Sequence, residues 1–455
     1  MDMNEMRRRW KEAQEQKQNR LNEEVREDYT SSVDTQSGSI ETIQYDNGNK
    51  YVGYLDFNGE PSGKGTFYYA DGERIEALWK GGNPVHGTYY YADGDRYEGD
   101  FDDDWKMSGQ GTLYSAKGER LEGTWKEGNP VHGTYYYTNG TRYEGDFDEN
   151  WKKSGQGTFY FSNGDRLEAL WKAGKPVHGT CYYADGDRYE GDFDEKVQRT
   201  GQGTYYYADG VRIEALWKAD KPVHGTYYFA NGNRYEGDFD ENEKYSGQGT
   251  LYYAKGERLE ALWKEGKPVH GTDYYTNGAR YEGDFDDDWK KSGQGTYYFS
   301  DGERIEALWK GGKPVHGTYY YADGDRYEGD FDENEKYSGQ GTYYNADGER
   351  IEALWKAGNP VHGTCYFADG DRYEGDFDDD WEKSGQGTYY FSNGGRFEGM
   401  CKGGKFVHGT FYYANGDRYE GDFDDDEKRS GQGTYYFSNG KILKGQWLKG
   451  EYQGV

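Results

Sequence analysis

Tyr97-Glu98-Gly99-Asp100-Phe101 leads into an acidic stretch, Asp102-Asp103-Asp104-Trp105-Lys106-Met107-Ser108, then into Gly109-Gln110-Gly111-Thr112-Leu113-Tyr114 and a turn signal at Lys117-Gly118. Tyr97, Gly99 and Phe101 alternate with Glu98 and Asp100, which is the period of a strand. The passage returns every 46 residues, with copies beginning at Tyr51, Tyr97, Tyr143, Tyr189, Tyr235, Tyr281, Tyr327, Tyr373 and Tyr419. Between each pair lies a related motif, such as Ile75-Glu76-Ala77-Leu78-Trp79 or Leu121 to Trp125. The underlying unit is therefore about 23 residues, alternating between 24 and 22, in eighteen copies. Periods of this size mark a repeat array in which each unit touches mainly its neighbours.

Each unit reads as two strands and a tight turn. Sixteen of the eighteen turns carry Asn-Gly or Asp-Gly, as at Asp71-Gly72 and Asn139-Gly140, with Lys117-Gly118 and Lys255-Gly256 as the exceptions. That dipeptide predicts type I′ turns, which need positive φ at both central residues. A short Pro-containing loop, Glu127-Gly128-Asn129-Pro130, alternates with the longer acidic one and accounts for the two unit lengths. Glycine inside a strand marks close approach of another group. Gly109 and Gly111 are expected to lie beneath side chains of adjoining strands such as Tyr97, Phe101, Leu121 or Trp125. Roughly 36 strands at about 4.8 Å predict a rod on the order of 170 Å.

Composition agrees with a thin aromatic sheet. Hydrophobic residues are only 33% of the chain, and Tyr (50) and Phe (20) supply much of that fraction, so a thick aliphatic core is excluded. The formal charge of −30 shows no basic stripe for nucleic acid and disfavours anionic membranes. The three cysteines, Cys181, Cys365 and Cys401, make no disulfide framework, and no apolar leader or 18-residue apolar run is visible. A cytoplasmic protein is expected.

Residues 1–29 lack the repeat. Met6, Trp10, Ala13, Leu21, Val25 and Tyr29 recur at steps of three and four, broken by Lys17, and predict a short helix with a narrow apolar stripe. It either caps the first repeat or docks on a partner. Residues 30–41 read as a flexible linker, and 42–455 as the array.

Residue types associated with chemistry resolve into structure. All eight histidines, from His86 and His132 to His408, occupy one repeat position, about 19 Å apart, so no two share a metal ion. The acidic loops lack the distal bidentate Glu of a calcium loop and read as solvated turns. Gly311-Gly312-Lys313 lacks phosphate-loop spacing. No nucleophile has a base and an orienting partner, so the sequence calls for no catalytic residue, metal or cofactor. Tyr90, Tyr136, Tyr206 and Tyr320 in the Tyr-rich runs, with Trp10 and Leu21, form the candidate interaction surface.

The pattern Tyr-Glu-Gly-Asp-Phe, loop, Gly-Gln-Gly-Thr-x-Tyr, Asp/Asn-Gly resembles the MORN repeat (membrane occupation and recognition nexus) over about residues 45–450. The matching positions are Tyr97, Gly99, Phe101, Gly109, Gly111 and Gly118, with Trp125 defining the alternate unit. The 22-residue form departs at Val131, Ala169 and Ala215; Phe397 to Cys401 lacks the Trp, and Phe406 stands in place of Pro. The resemblance implies an all-β, elongated single-layer antiparallel sheet of successive hairpins. It further implies a non-enzymatic scaffold for protein–protein interaction in a cytoskeletal or ciliary assembly. A peripheral membrane or phosphoinositide tether and a regulatory subunit of an enzyme complex are the alternatives. Open edges near Tyr51 and Trp447 allow a homodimer.

Overall fold

The computed structural model describes residues 38–455. The expected N-terminal helix, with Trp10 and Leu21, lies outside the described residues. Within them the chain is all-β, with 37 strands from Glu41–Gln44 to Glu451–Gly454. They fall into two units, one of residues up to 209 with 217–220, the other of residues 210–216 with 221–455. Within each unit, strands consecutive in sequence pair antiparallel in a single layer.

The first unit shows the working of the repeat. Strand Arg96–Phe101 pairs with Met107–Tyr114, setting Tyr97 opposite Leu113 and Gly99 opposite Gly111. Met107–Tyr114 pairs with Arg120–Lys126, setting Gly109 opposite Trp125, Gly111 opposite Gly123 and Leu113 opposite Leu121. Arg120–Lys126 continues to Asn129–Tyr136 with Gly123 opposite Gly133. Odd-numbered positions of the Tyr97 strand therefore share one face with the glycines, the aliphatics and the tryptophans. The even-numbered positions share the other. Alternation of side chains across a strand fixes this division.

The first face is the core. Tyr97 is fully buried, and Trp125 and Leu121 nearly so. The Tyr97 ring lies across Gly99 and Gly111: a β-carbon on Gly111 would fall 2.2 Å from the Tyr97 Oη and 2.4 Å from its ring. The Tyr97 hydroxyl donates to the carbonyls of Asp100 (3.0 Å) and Ser108 (3.1 Å). Trp125 meets Tyr97 edge-on at 5.5 Å and donates its Nε1–H to the Gly111 carbonyl. Edge-to-face pairs add about 0.5–1.5 kcal/mol beyond the area they bury. A single layer thus forms its core by laying rings along its own glycine rows, as expected for Gly111; the same expectation fails for Gly109, whose β-carbon position meets the Asp100 side chain and no ring. Gly109 has φ 57° and serves a bulge between Asp100 and Gln110 instead.

The turns differ from expectation in kind. At Tyr69-Ala70-Asp71-Gly72-Glu73 the Gly72 amide donates to the Tyr69 carbonyl and the Tyr69 amide to the Glu73 carbonyl. Only Gly72 has positive φ, 98°. This is a type I turn closed by a left-handed glycine bulge, the three-residue hairpin loop. Asp71 assists by accepting the Glu73 amide through Oδ1. Gly118, at φ 91°, fills the same place after Lys117. The type I′ turns sit at the short loops: Glu127 (φ 51°) and Gly128 (φ 83°) join Lys126 directly to its partner Asn129.

The acidic loop repeats the three-residue scheme with a residue other than glycine in the left-handed position. Trp105 has φ 63°, where the first repeat has Gly59 at 81°. Such a conformation costs an L-residue roughly 1–2 kcal/mol. Trp105 offsets the cost by packing edge-on against Trp79 at 5.0 Å and donating Nε1–H to the Asn83 side chain. Asp102 caps the loop, its Oδ1 accepting the amides of Asp104 and Lys106.

Departures from the repeat are compensated locally. Ala169 fits opposite Gly179 because Leu167 on its strand is shorter than a tyrosine and leaves room for a methyl group. Near the C-terminus Phe406 stacks on Phe397 at 4.1 Å, supplying the ring that Cys401 lacks, and the register of Arg396–Lys402 with Lys405–Tyr412 is kept.

Candidate interaction face

The second face carries the same side chains in three rows, because every strand pairs in the same register. The first row alternates Arg and Tyr. Arg96 stands opposite Tyr90 and Tyr114, Arg120 opposite Tyr114 and Tyr136, and so along each unit, with Lys50 in the Arg place at the first hairpin and Ile442 at the last. Each guanidinium lies over a ring; the contact is 3.7 Å for Arg74 on Tyr90, 3.9 Å for Arg120 on Tyr136, 4.0 Å for Arg188 on Tyr206 and 3.8 Å for Arg304 on Tyr320. All four tyrosines of the candidate surface thus stand in this row.

The second row alternates Glu and Thr: Glu98, Thr112, Glu122 and Thr134. Most of these glutamates reach back two residues to the first row, as Arg120 Nε donates to Glu122 at 2.5 Å. That hydrogen bond raises the Arg120 guanidinium above its ordinary value. Both side chains are roughly two-fifths exposed, so the pair orients the row more than it stabilises it.

The third row holds the histidines. His132 Nδ1 lies 2.7 Å from Asp146 Oδ1 on the neighbouring strand, and all eight histidines repeat the contact at 2.6–2.8 Å. The His132 ring is 59% exposed. The other oxygen of the aspartate turns to the bulge, where Asp100 Oδ2 accepts the Gln110 amide at 3.3 Å. Beside the histidines stand Leu170 and Val177, and in the second unit Leu262 with Val269 and Leu308 with Val315, all about two-fifths exposed. Among the described residues no group of three or more His, Cys, Asp or Glu side chains is placed to hold a metal ion.

Between the rows the face dips where the small Thr and Gly positions fall. One such depression in the second unit, about 560 Å³, is lined by His224, Thr226, Glu236, Gln248, Thr250 and Glu260. It is open, shallow and repeated. The three cysteines are buried on the opposite side, and burial pushes the Cys365 thiol up to about 12.

The Arg–Tyr alternation and the His–Asp pairing were missed by sequence reasoning, which took Tyr and His positions one at a time. Both were available from the period, since Tyr90 and Arg96 flank their turn at equal distances, as do Tyr114 and Arg120, and His132 and Asp146.

Sixteen segments of the chain match the sequence model of the MORN repeat, from residues 57–74 and 79–96 through 419–442. The chain belongs to the MORN repeat family. No curated protein matches this MORN chain. Solved structures with a likeness to it include the TCP domain of Drosophila melanogaster SAS-4 (dCPAP) in complex with a proline-rich motif of Ana2 (dSTIL). That likeness is 12% identical, covers 50% of this chain and 93% of that one, and has a TM-score of 0.17. The TCP10 domain of Danio rerio CPAP is 11% identical over 69% of this chain and 99% of that one, with a TM-score of 0.10. Virginiamycin B lyase from Staphylococcus aureus is 12% identical over 70% and 94%, with a TM-score of 0.11. Scores this low carry no argument about function.

Proposed function

We propose that this MORN array is a non-enzymatic scaffold that gathers protein partners along its Arg–Tyr, Glu–Thr and His–Asp face. A single observation carries the reading: within each unit the same exposed Arg–Tyr and His–Asp pairs recur on one face at each double unit from Tyr97 onward, about 19 Å apart, with only shallow depressions between them. Repeated weak contacts of this kind suit an extended or multivalent partner, because linked sites raise avidity without any one of them being tight. The glutamates and the −30 charge favour a partner segment rich in Lys or Arg. A place in a cytoplasmic cytoskeletal or ciliary assembly belongs to the same proposal.

The test is photo-crosslinking from a benzophenone side chain placed at Gln248 of the full chain in cells. The expected product is a protein adduct whose yield falls when Glu236 and Glu260 are both changed to Lys. Adducts to lipid alone, with sedimentation of the chain on anionic vesicles, would overturn the scaffold reading in favour of a membrane tether.

A further inference from the structure

The first hairpin breaks the pattern of the open face. Where the other double units carry Glu, Asp and Gln (Glu98, Asp100 and Gln110 in the next one), it carries Val52, Tyr54 and Lys64. Each exchange makes the face one charge less negative, and two of them make it apolar. The family match begins only at residue 57, beyond this strand. Val52, Tyr54 and Lys64 line, with Ile40, Leu78 and Thr66, a shallow depression of about 630 Å³. Ile40 is 65% exposed.

The chain enters the sheet at this same place. Strand Glu41–Gln44 pairs with Lys50–Leu55 only as far as Gly53, leaving Tyr54 and Leu55 without a strand partner on that side. Gly38 lies against the Tyr54 ring, its β-carbon position 3.7 Å from Tyr54 Cδ1. The residues before Gly38 therefore depart from beside the depression, and they include the apolar set Met6, Trp10, Ala13, Leu21, Val25 and Tyr29. Glu23, Glu24, Glu27 and Asp28 outnumber Arg26 among the last of these, a net charge complementary to Lys64, which lines the depression together with Glu76.

We propose that residues 6–29 of the same chain cover the depression at Val52, Tyr54 and Leu78, closing the open face at its first hairpin. The nine residues from Tyr29 to Gly38 span up to about 30 Å, ample to fold back. A tether of that length holds the segment at an effective concentration on the order of millimolar, so a weak contact suffices to populate the docked form. The inference is independent of the scaffold reading, since it concerns a stretch of the face that lacks the repeated groups.

Hydrogen exchange of the full chain tests it against the variant Val52→Glu, Tyr54→Asp, Lys64→Gln, which restores the residues of the later repeats and so keeps the strand pairing. Residues 21–29 should exchange at least tenfold more slowly in the parent, at any protein concentration, and lose that protection in the variant. Equal exchange in the two proteins would overturn the proposal. So would protection that grows with protein concentration, which would make a second copy the occupant. A second variant, Leu21→Glu with Val25→Glu, leaves the array untouched. Hydroxyl-radical footprinting should then show Tyr54 oxidised at least threefold faster, and an unchanged rate would count against docking in cis.

Discussion

Gly111→Ala tests how a one-layer sheet makes a core. The added methyl group would meet the Tyr97 hydroxyl at 2.2 Å and its ring at 2.4 Å, distances no packed atoms adopt. The backbone of Gly111 is held on both sides by the pairings to Gly99 and Gly123, so the ring must leave. Leaving forfeits the burial of a fully enclosed tyrosine, comparable to a large-to-small core change of about 3–5 kcal/mol. It also forfeits a hydroxyl hydrogen bond shared between Asp100 and Ser108, worth about 1 kcal/mol net. An array does not unfold as one two-state body, so the loss is best read locally, by native-state hydrogen exchange of the full chain. Met107 and Leu113 distinguish the peptides of this hairpin from other copies. A local loss of about 3 kcal/mol corresponds to more than a hundredfold faster exchange over residues 97–126. Tyr97→Ala alone should cost a similar amount, and the double variant little more than either single one, because the methyl group then occupies the space the ring vacated. Exchange changed less than threefold by Gly111→Ala, or strictly additive losses in the double variant, would refute the ring-over-glycine account.

Three further outcomes are expected. Glu243 sits at φ 61° where the first repeat has glycine, so Glu243→Gly should raise local stability by about 0.5–1 kcal/mol in the same exchange assay; a loss would show that its left-handed backbone carries no strain. Burial pushes Tyr51, Tyr189 and Tyr419 up to about 12, whereas tyrosines of the unfolded chain ionise near 10. Their stabilising contribution is complete below pH 10 and is lost as pH rises toward 12, so tyrosinate absorbance and loss of strand dichroism should appear together in that window. Burial likewise raises Cys181 and Cys401 to about 11 and Cys365 to about 12, so a thiol reagent at pH 8 should label none rapidly in the native protein and all three in denaturant.

Much of the architecture was legible in the text of the chain. A period of two within Tyr97 to Phe101, repeated in phase every 46 residues, dictates both the strands and the side of the sheet on which each residue stands. Turn chemistry was less legible, because Asp-Gly serves a type I′ turn and a type I turn with a glycine bulge equally well. One extra residue, Ala70, decides between them through hydrogen bonds that the dipeptide does not reveal. The strained backbone at Trp105 had a signal that comparison within the chain could have supplied, since Gly59 occupies the same place in the first repeat. The interaction face was half visible: Tyr90, Tyr136, Tyr206 and Tyr320 share a row, but their stacking against arginines depends on register, which only paired strands define. Trp10 and Leu21 have no described surroundings.

The uniform register has a hereditary consequence. Because Arg96-Tyr97-Glu98-Gly99-Asp100-Phe101 and Arg142-Tyr143-Glu144-Gly145-Asp146-Phe147 are identical in sequence, excision of residues 97–142 joins Arg96 to Tyr143 and restores the strand with no scar. Misaligned copying of such a gene therefore trims or extends the protein in whole steps of four strands, about 19 Å each, and every product is as well formed as its parent. Excision of the 24 residues 97–120 would instead join Arg96 to Leu121 and set two short-loop hairpins together, with no tyrosine ring for the glycines between them. Length in this protein is thus a graduated quantity that mutation can adjust without redesign, in the manner of links taken from a chain.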